Sequence, residues 1–335
     1  MNIGIIGFGY WGPNLVRNFS SLQNCNVAAI AESNANRHEL ITKQYKDVKI
    51  YHSAEELIKN NLIDAVVIAT PVFSHYPLAK LALENGKHVL IEKPMTSSSR
   101  DAIELIEIAE KKKLSLMVDH TFLYTGAVQK MKELVSSNIL GKLSYIDSTR
   151  INLGLFQPDI NVLWDLAPHD ISILNYLVDE RPISANATGV SHTNNGIENI
   201  AYLTLNYNSG FIAHFNCSWS SPVKIRMMLI GGSDKMCIFN DIEPTEKVKI
   251  YDTGYSFKTD EEKRKVLVDY RAGDIYLPKV NSTEALSLMA QDFVDSILNN
   301  TVPKSDATIG LDVVKILEAA QKSIKNKGQE IKIEQ

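Results

Sequence analysis

Two stretches of the chain put reactive side chains where a fold could use them. Residues 88–96 read HVLIEKPMT, an apolar strand pattern that closes on Glu92, Lys93 and Pro94. A lysine ammonium can donate a hydrogen bond to an alcohol or carbonyl oxygen, and burial among suitable neighbours can make it a proton exchanger. Residues 164–174 read WDLAPHDISIL, which sets Asp165 four residues before His169. That spacing is one helical turn, so the carboxylate could fix the imidazole tautomer or stabilise the imidazolium. Imidazole itself titrates near neutral pH. Each residue also has a plainer reading: Lys93 as a charge closing a strand, Asp165 as a helix N-cap, and His169 as a helix-start residue beside Pro168.

A third pattern indicates what such groups could work beside. Gly7-Phe8-Gly9-Tyr10-Trp11-Gly12 is a G-x-G-x-x-G lying between the apolar run NIGII and the helical period of PNLVRNFSSL. In that context Gly7 serves the tight turn, Gly9 the approach of backbone to a pyrophosphate, and Gly12 the close packing of helix on strand. The helix start, with Pro13 at its first position, offers free N–H groups and a positive dipole end. The second strand pattern ends at Glu32, 20 residues after Gly12. A carboxylate there accepts from an adenosine ribose and repels a 2′-phosphate, which favours NAD over NADP. Arg37 stands close enough in sequence to soften that preference.

The elements that must position these groups follow from hydrophobic period. Strand patterns at NIGII, NVAAIAE, VKIY, IDAVVIAT, KHVLIE and LSLMVD alternate with helical ones, including an exposed helix from Asn34 to Tyr45. Ser53 with Glu56 reads as a capping box for the helix AEELIKN, and Gly86 ends the helix SHYPLAKLALENG. Short connections between strands and helices predict a doubly wound parallel sheet. After Asp119 the rhythm changes. A helix, a strand and a helix from Asp165 to Leu177 lead into long alternating runs such as AYLTLNY and FIAHFNCSW, joined by Asn208-Ser209-Gly210 and by GGSDK. These predict a large, mostly antiparallel sheet with one open face, followed by two helices. The expected division is a Rossmann domain over 1–120 and an α+β substrate and oligomerisation domain over 121–335. Residues 270–280 read as a loop, and the final KSIKNKGQEIKIEQ as a solvated tail.

Composition narrows the class. The net charge of −4 gives no reason to expect nucleic acid or anionic lipid as a partner. Apolar runs such as AVVIAT are too short for a membrane span, and the N-terminus lacks the basic region of a signal peptide. Cys25, Cys217 and Cys237 lie far apart, which argues against a disulfide framework or structural zinc and fits the reducing cytoplasm. His120, His192 and His214 have no partner at ligand spacing, so no metal is expected. Trp164 and Trp219 could stack on a sugar ring, with core packing the better reading.

Three segments then stand in order: ATPVFSHYPLA (69–79), EKP (92–94) and WDLAPHD (164–170). Together with GFGYWG they resemble the Gfo/Idh/MocA family of NAD(P)-dependent sugar and polyol oxidoreductases, whose motifs are A-T-P-x-x-x-H, E-K-P and D-x-x-x-H. The resemblance spans nearly the whole chain. It implies that Thr70, Pro71 and His75 lie along the dinucleotide and that Glu92 lies near the nicotinamide ribose. It also implies that Lys93 faces the reacting carbon across a cis Lys93–Pro94 bond, with Asp165 and His169 completing the catalytic set. The chain departs from the commoner pattern after the sixth strand. Thr121 stands for Asn, Phe122 and Leu123 for arginines, and Tyr124 for Phe, so a substrate wall of Thr121, Phe122 and Tyr124 would be less cationic.

The resulting expectation is an NAD-dependent dehydrogenase acting on a ring hydroxyl of a sugar, nucleotide-linked sugar or inositol. Lys93 would polarise the oxygen or exchange its proton, His169 would act as general acid/base and Asp165 would orient it. Two other readings are a dinucleotide-binding sensor without turnover and a reductase of another small keto or unsaturated compound. An open antiparallel sheet also predicts a homo-oligomer, dimer or tetramer.

Overall fold

The computed structural model describes residues 1–256 and 269–334. Strands β1 (Asn2–Ile6), β2 (Asn26–Ala31), β3 (Lys49–Tyr51), β4 (Ala65–Ile68), β5 (His88–Glu92) and β6 (Leu116–Asp119) form a parallel sheet in the order 3-2-1-4-5-6. Helices α1 (Gly12–Ser20), α2 (His38–Gln44), α3 (Ala54–Ile58), α4 (His75–Glu84) and α5 (Ser99–Lys112) connect the strands. Every residue of β4 is buried, as a parallel strand covered on both faces requires. Ser98 caps α5 by accepting from the Asp101 N–H. The capping box expected at Ser53 and Glu56 does not form: Ser53 precedes α3, but its side chain makes no cap bond. This single short helix is held instead by burial of Leu57 and Ile58.

The chain then builds α6 (Gly126–Ser136), β7 (Leu143–Leu153), α7 (Val162–Leu177), β8 (Ser184–Val190), β9 (Ile200–Asn206), β10 (Ile212–Ser218), β11 (Ser220–Gly232), β12 (Met236–Asn240) and β13 (Val248–Tyr251). A small ribbon pairs β14 (Gly254–Ser256) with β15 (Asp269–Arg271), and β16 (Ile275–Tyr276) extends the sheet edge beside β13. Helices α8 (Ala285–Asn299) and α9 (Ala307–Lys325) and strand β17 (Ile331–Lys332) complete the chain. Among the described residues, the second sheet has nine strands in the order 16-13-12-11-7-10-9-8-17. Its pairings are antiparallel except for β7 with β10, at the middle, which is parallel.

Three sequence expectations change here. Residues 270–280 are not wholly loop, because they supply part of β15 and all of β16. The tail is not simply solvated, since Ile331 and Lys332 pair with Ala185 and Ser184 at the edge of β8. Helix α7 begins at Val162 behind an Asn161 cap, so Asp165 lies in its first turn and is not the N-cap.

The chain gathers into two compact units, one of Met1–Tyr124 with Thr283–Lys315 and one of Thr125–Ser282 with Ile316–Gln335. A single cut after residue 120 leaves out the return of α8 and the start of α9 to the first unit. The contacts that make this return are specific. Phe293 meets Phe19 of α1 edge-on with centroids 6.2 Å apart, and Glu284 pairs with Arg17 at 2.5 Å. The Tyr124 hydroxyl donates to Asp292 at 2.6 Å, and Asp306 bridges Met117 at the edge of β6.

Candidate functional site

In the first unit the loops after β1, β4, β5 and β6 leave the carboxyl ends of neighbouring strands, and the strand order reverses between β1 and β4. Crevices at such reversals are where open parallel sheets bind ligands. Gly7 has a φ of +95°, and a Cβ there would lie 2.5 Å from the Ala69 carbonyl oxygen. A Cβ on Gly12 would lie 2.5 Å from the Gly7 oxygen, so the helix can start this close to the loop only without one. Gly9 is different: the nearest atom to a Cβ would be Arg37 Nη1 at 3.8 Å. Among the described residues nothing requires a bare backbone at Gly9, whereas an approaching pyrophosphate would. Helix α1 opens with no acidic residue in its first turn and no side-chain cap, so its N–H groups suit an anion. The loop therefore fits a dinucleotide. Phe8 is buried, while Tyr10 and Trp11 are exposed.

Glu32 is buried at the end of β2 and already employed. Its carboxylate accepts from the Phe8 N–H at 2.8 Å, the Asn34 N–H at 2.8 Å and Arg37 Nη1 at 3.2 Å. Burial alone would raise its pKa, but the Asn34 and Phe8 amides and the Arg37 guanidinium together hold it below the ordinary carboxylate value. Glu32 thus both fixes the glycine loop and keeps a negative charge beside it.

After β4, Thr70 is half-buried and Pro71 exposed. His75, expected along the dinucleotide, is 1% exposed. Its Nε2 lies 2.8 Å from the Thr70 carbonyl oxygen and its Nδ1 2.9 Å from that of Pro94. The imidazole therefore ties the loop after β4 to the loop after β5. Burial lowers the His75 pKa, with the Pro94 and Thr70 carbonyls opposing.

Lys93 follows the buried end of β5, is itself half-buried, and is joined to Pro94 by a cis peptide. The register of β5 on β6 sets Glu92 directly beside Asp119. Both are buried, and Asp119 accepts from the Thr121 N–H at 3.1 Å and from the Thr121 hydroxyl. Burial, then repulsion from Asp119, drives the Glu92 pKa well above the carboxylate range. Burial also raises Asp119, against hydrogen bonds from Thr121 and Glu92. His120 is fully buried, and both of its ring nitrogens lack a hydrogen-bond partner among the described residues. Burial, with Lys93 nearby, pushes its pKa down to about 3, so its ring is neutral. Of the expected wall, Phe122 is half-buried and the Thr121 hydroxyl is committed to Asp119. Tyr124 is 3% exposed with its hydroxyl on Asp292, which makes it part of the packing under α8.

In the second unit, Asn161 anchors α7: its Oδ1 accepts from the Leu163 and Trp164 N–H groups, and its Nδ2 donates to Glu198 and Gln321. Asp165, in the first turn, accepts from Trp219 Nε1 at 2.9 Å. Trp219 is 1% exposed, so it packs in the core and braces that carboxylate. His169 is half-buried one turn later, and its carbonyl accepts from the Ser172 hydroxyl. Pro168 removes one N–H from this stretch of helix. The next residue, Asp170, forms a buried two-pronged pair with Arg150 of β7, at 2.9 Å to Nε and 2.6 Å to Nη2. That pair pins the helix segment bearing His169 to the sheet.

Sequence reading missed Asp119, Arg150 and Asp170, and it read Trp219 as core without its bond to Asp165. Asp119 carried a signal: HVLIE and LMVD both end in an acidic residue, and consecutive strands of such a sheet are neighbours. Among the described residues, no group of three His, Cys, Asp or Glu side chains could hold a metal ion, and no helix is long and apolar enough to cross a membrane.

Comparison with known proteins places these features. An oxidoreductase family model described by an NAD-binding Rossmann fold matches residues 1–120, and a GFO/IDH/MocA C-terminal domain model matches residues 128–236. UDP-N-acetylglucosamine 3-dehydrogenase of Acidithiobacillus ferrooxidans is 28% identical over 239 residues, which is 70% of this chain and 72% of that protein. Its solved structure aligns with a TM-score of 0.81 over 98% of this chain and 99% of that one, at 24% identity. The scyllo-inositol 2-dehydrogenase (NADP(+)) of Bacillus subtilis is 24% identical over 346 aligned positions, 98% of this chain and 94% of that protein. Matched by models of one family in both its halves, the chain belongs to the Gfo/Idh/MocA oxidoreductases, a family that binds NAD(P).

Proposed function

We propose that the protein is an NAD-dependent dehydrogenase acting on a ring hydroxyl of a sugar, nucleotide-linked sugar or inositol, or on the matching keto group in reverse. The observation that carries this reading is the placement of Lys93. It directly follows β5, in the sheet whose glycine loop fits a dinucleotide, between a His75 clamp and a buried carboxyl pair. Gly7, Gly9 and Gly12 with the start of α1 would hold the pyrophosphate, Glu32 would face the ribose, and Thr70, Pro71 and Glu92 would line the remainder. The bound cofactor supplies the acceptor or donor of hydride at nicotinamide C4.

The remaining chemistry falls to this chain. Lys93 donates a hydrogen bond to the reacting oxygen and stabilises negative charge as it develops. His169 exchanges the proton with that oxygen, and Asp165, braced by Trp219, orients the imidazole. The order of motifs along the sequence supports these roles. The Acidithiobacillus relative supports a nucleotide-linked sugar as the first substrate class to test. The ionised Glu32 beside the loop supports NAD, while Arg37 at 3.2 Å leaves a cation for residual NADP binding.

The test is NADH or NADPH absorbance across a panel of polyols, free sugars and UDP- or dTDP-linked sugars. We expect turnover with NAD on one of these classes and a lower kcat/KM with NADP. Intact NAD binding without turnover on any class overturns the reading. Lys93→Met should lower kcat by ~1000-fold with little change in NAD affinity. Near-normal turnover in that variant would remove Lys93 from the mechanism.

A further inference from the structure

A single negative charge is what two buried carboxyls leave when they share one proton, and the ends of β5 and β6 are built to hold such a pair. Registered residues on neighbouring parallel strands point the same way, so Glu92 and Asp119 face one another by construction. Both are buried, at 9% and 5% exposure. The two differ in their partners. Asp119 takes both donors of Thr121, the hydroxyl and the N–H. Glu92 receives the Lys93 backbone N–H and bonds Asp119. The donors concentrate on Asp119, which makes it the carboxylate and Glu92 the acid whose O–H points toward it.

We propose that Glu92 and Asp119 hold one proton between them, and that the single charge left is the counter-ion that fixes the Lys93 side chain for its work. The inference rests on the dehydrogenase reading for what Lys93 does, but not for the pair itself. Both carboxyls feel the lysine charge directly. Neither of the two described histidines beside them adds a charge at neutral pH. His120, in the turn after β6, is kept neutral by burial and by Lys93, and burial lowers His75 at the start of α4 as well. Two bare carboxylates side by side in this buried place would repel each other, and two neutral acids would waste the N–H and hydroxyl donors of Thr121 that favour an ionised Asp119. One proton for two carboxyls satisfies both constraints.

The pair is symmetric enough to be tested by substitution. In Glu92→Gln the amide donates to an ionised Asp119. In Asp119→Asn the repulsion is removed, and Glu92 becomes the carboxylate. Each single variant therefore keeps one negative charge, and only the double variant loses it. We expect each single variant to lose about tenfold or less in kcat and the double variant ~1000-fold, more than the product of the two.

The readout independent of turnover is the infrared C=O stretch of a protonated carboxyl, recorded at neutral pH on the unliganded protein. It should be present in the wild type and absent from both single variants. Failure of the dehydrogenase reading would leave that spectrum untouched, so the two failures are distinguishable. Additive kinetic losses, or a wild-type spectrum whose protonated-carboxyl band survives Glu92→Gln, would overturn the pair. If the double variant does not fold, as judged by circular dichroism, the infrared comparison of wild type with the single variants decides alone.

Discussion

Glu32 and Glu92 are both buried glutamates at strand ends in one sheet, yet their surroundings push them in opposite directions. Amide donors and Arg37 lower Glu32, whereas burial and a neighbouring carboxyl raise Glu92. The linkage signs are therefore opposite. An unfolded glutamate titrates at about 4.3. Glu32 contributes stability that is fully present above that value and is lost as pH falls through its lower folded value. Glu92 keeps a proton in the folded state that the unfolded chain has released, so its contribution falls as pH rises from about 4.3 toward its raised folded value. Thermal melts followed from acid to neutral pH should show Glu92→Gln gaining stability on wild type as pH rises. Glu32→Gln should lose ground over the same range, and parallel curves would contradict both assignments. The residue types at these positions could be read from the sequence, but their occupations could not. Nothing in GFGYWG shows that the Phe8 amide is bound to Glu32, because the 24-residue separation closes only when β1 and β2 pair.

At the scale of elements, the helix carrying Asp165 and His169 is only as well placed as its anchors. Arg150 and Asp170 are both almost fully buried, so removing one leaves an uncompensated charge in the interior. Arg150→Met should destabilise the protein by about 3–5 kcal/mol in chemical denaturation, and a paired Arg150→Met, Asp170→Leu variant should recover most of that. A loss no smaller in the double variant would mean that shape, not charge, holds the helix. The apolar strands and amphipathic helices were legible because burial writes its period into the chain. β8 was not, since SANATGV is small and polar and owes its place to backbone pairing with β9 and β17. The start of α7 was misplaced for a related reason. The true cap, Asn161, depends on Glu198 and Gln321, which are distant in sequence.

For the whole molecule, the two-part design and the glycine loop could be read directly, whereas the return of 283–315 could not. Helical period marks α8 as amphipathic but does not say which unit receives its apolar face. The nine-stranded sheet also exposes apolar side chains on adjacent strands, among them Tyr202 at 46% and Ile212 at 44%. We expect this face to join copies of the chain, as the open sheet suggests. Light scattering of the wild type should give a multiple of the chain mass, and a Tyr202→Asp, Ile212→Asp variant should fall toward the monomer. A monomeric wild type at working concentrations would refute this. The return of α8 also has a consequence during synthesis. Residues 1–124 are made long before Thr283, because the 158 residues Thr125–Ser282 come between them. Phe293 follows Phe19 by 293 − 19 = 274 positions, so at typical elongation rates of about 5–20 residues per second the Phe19 side of α1 waits roughly 15–55 s for it. The nascent chain must carry an uncovered aromatic surface through that interval, so the first unit cannot complete its core until α8 and the start of α9 have been made.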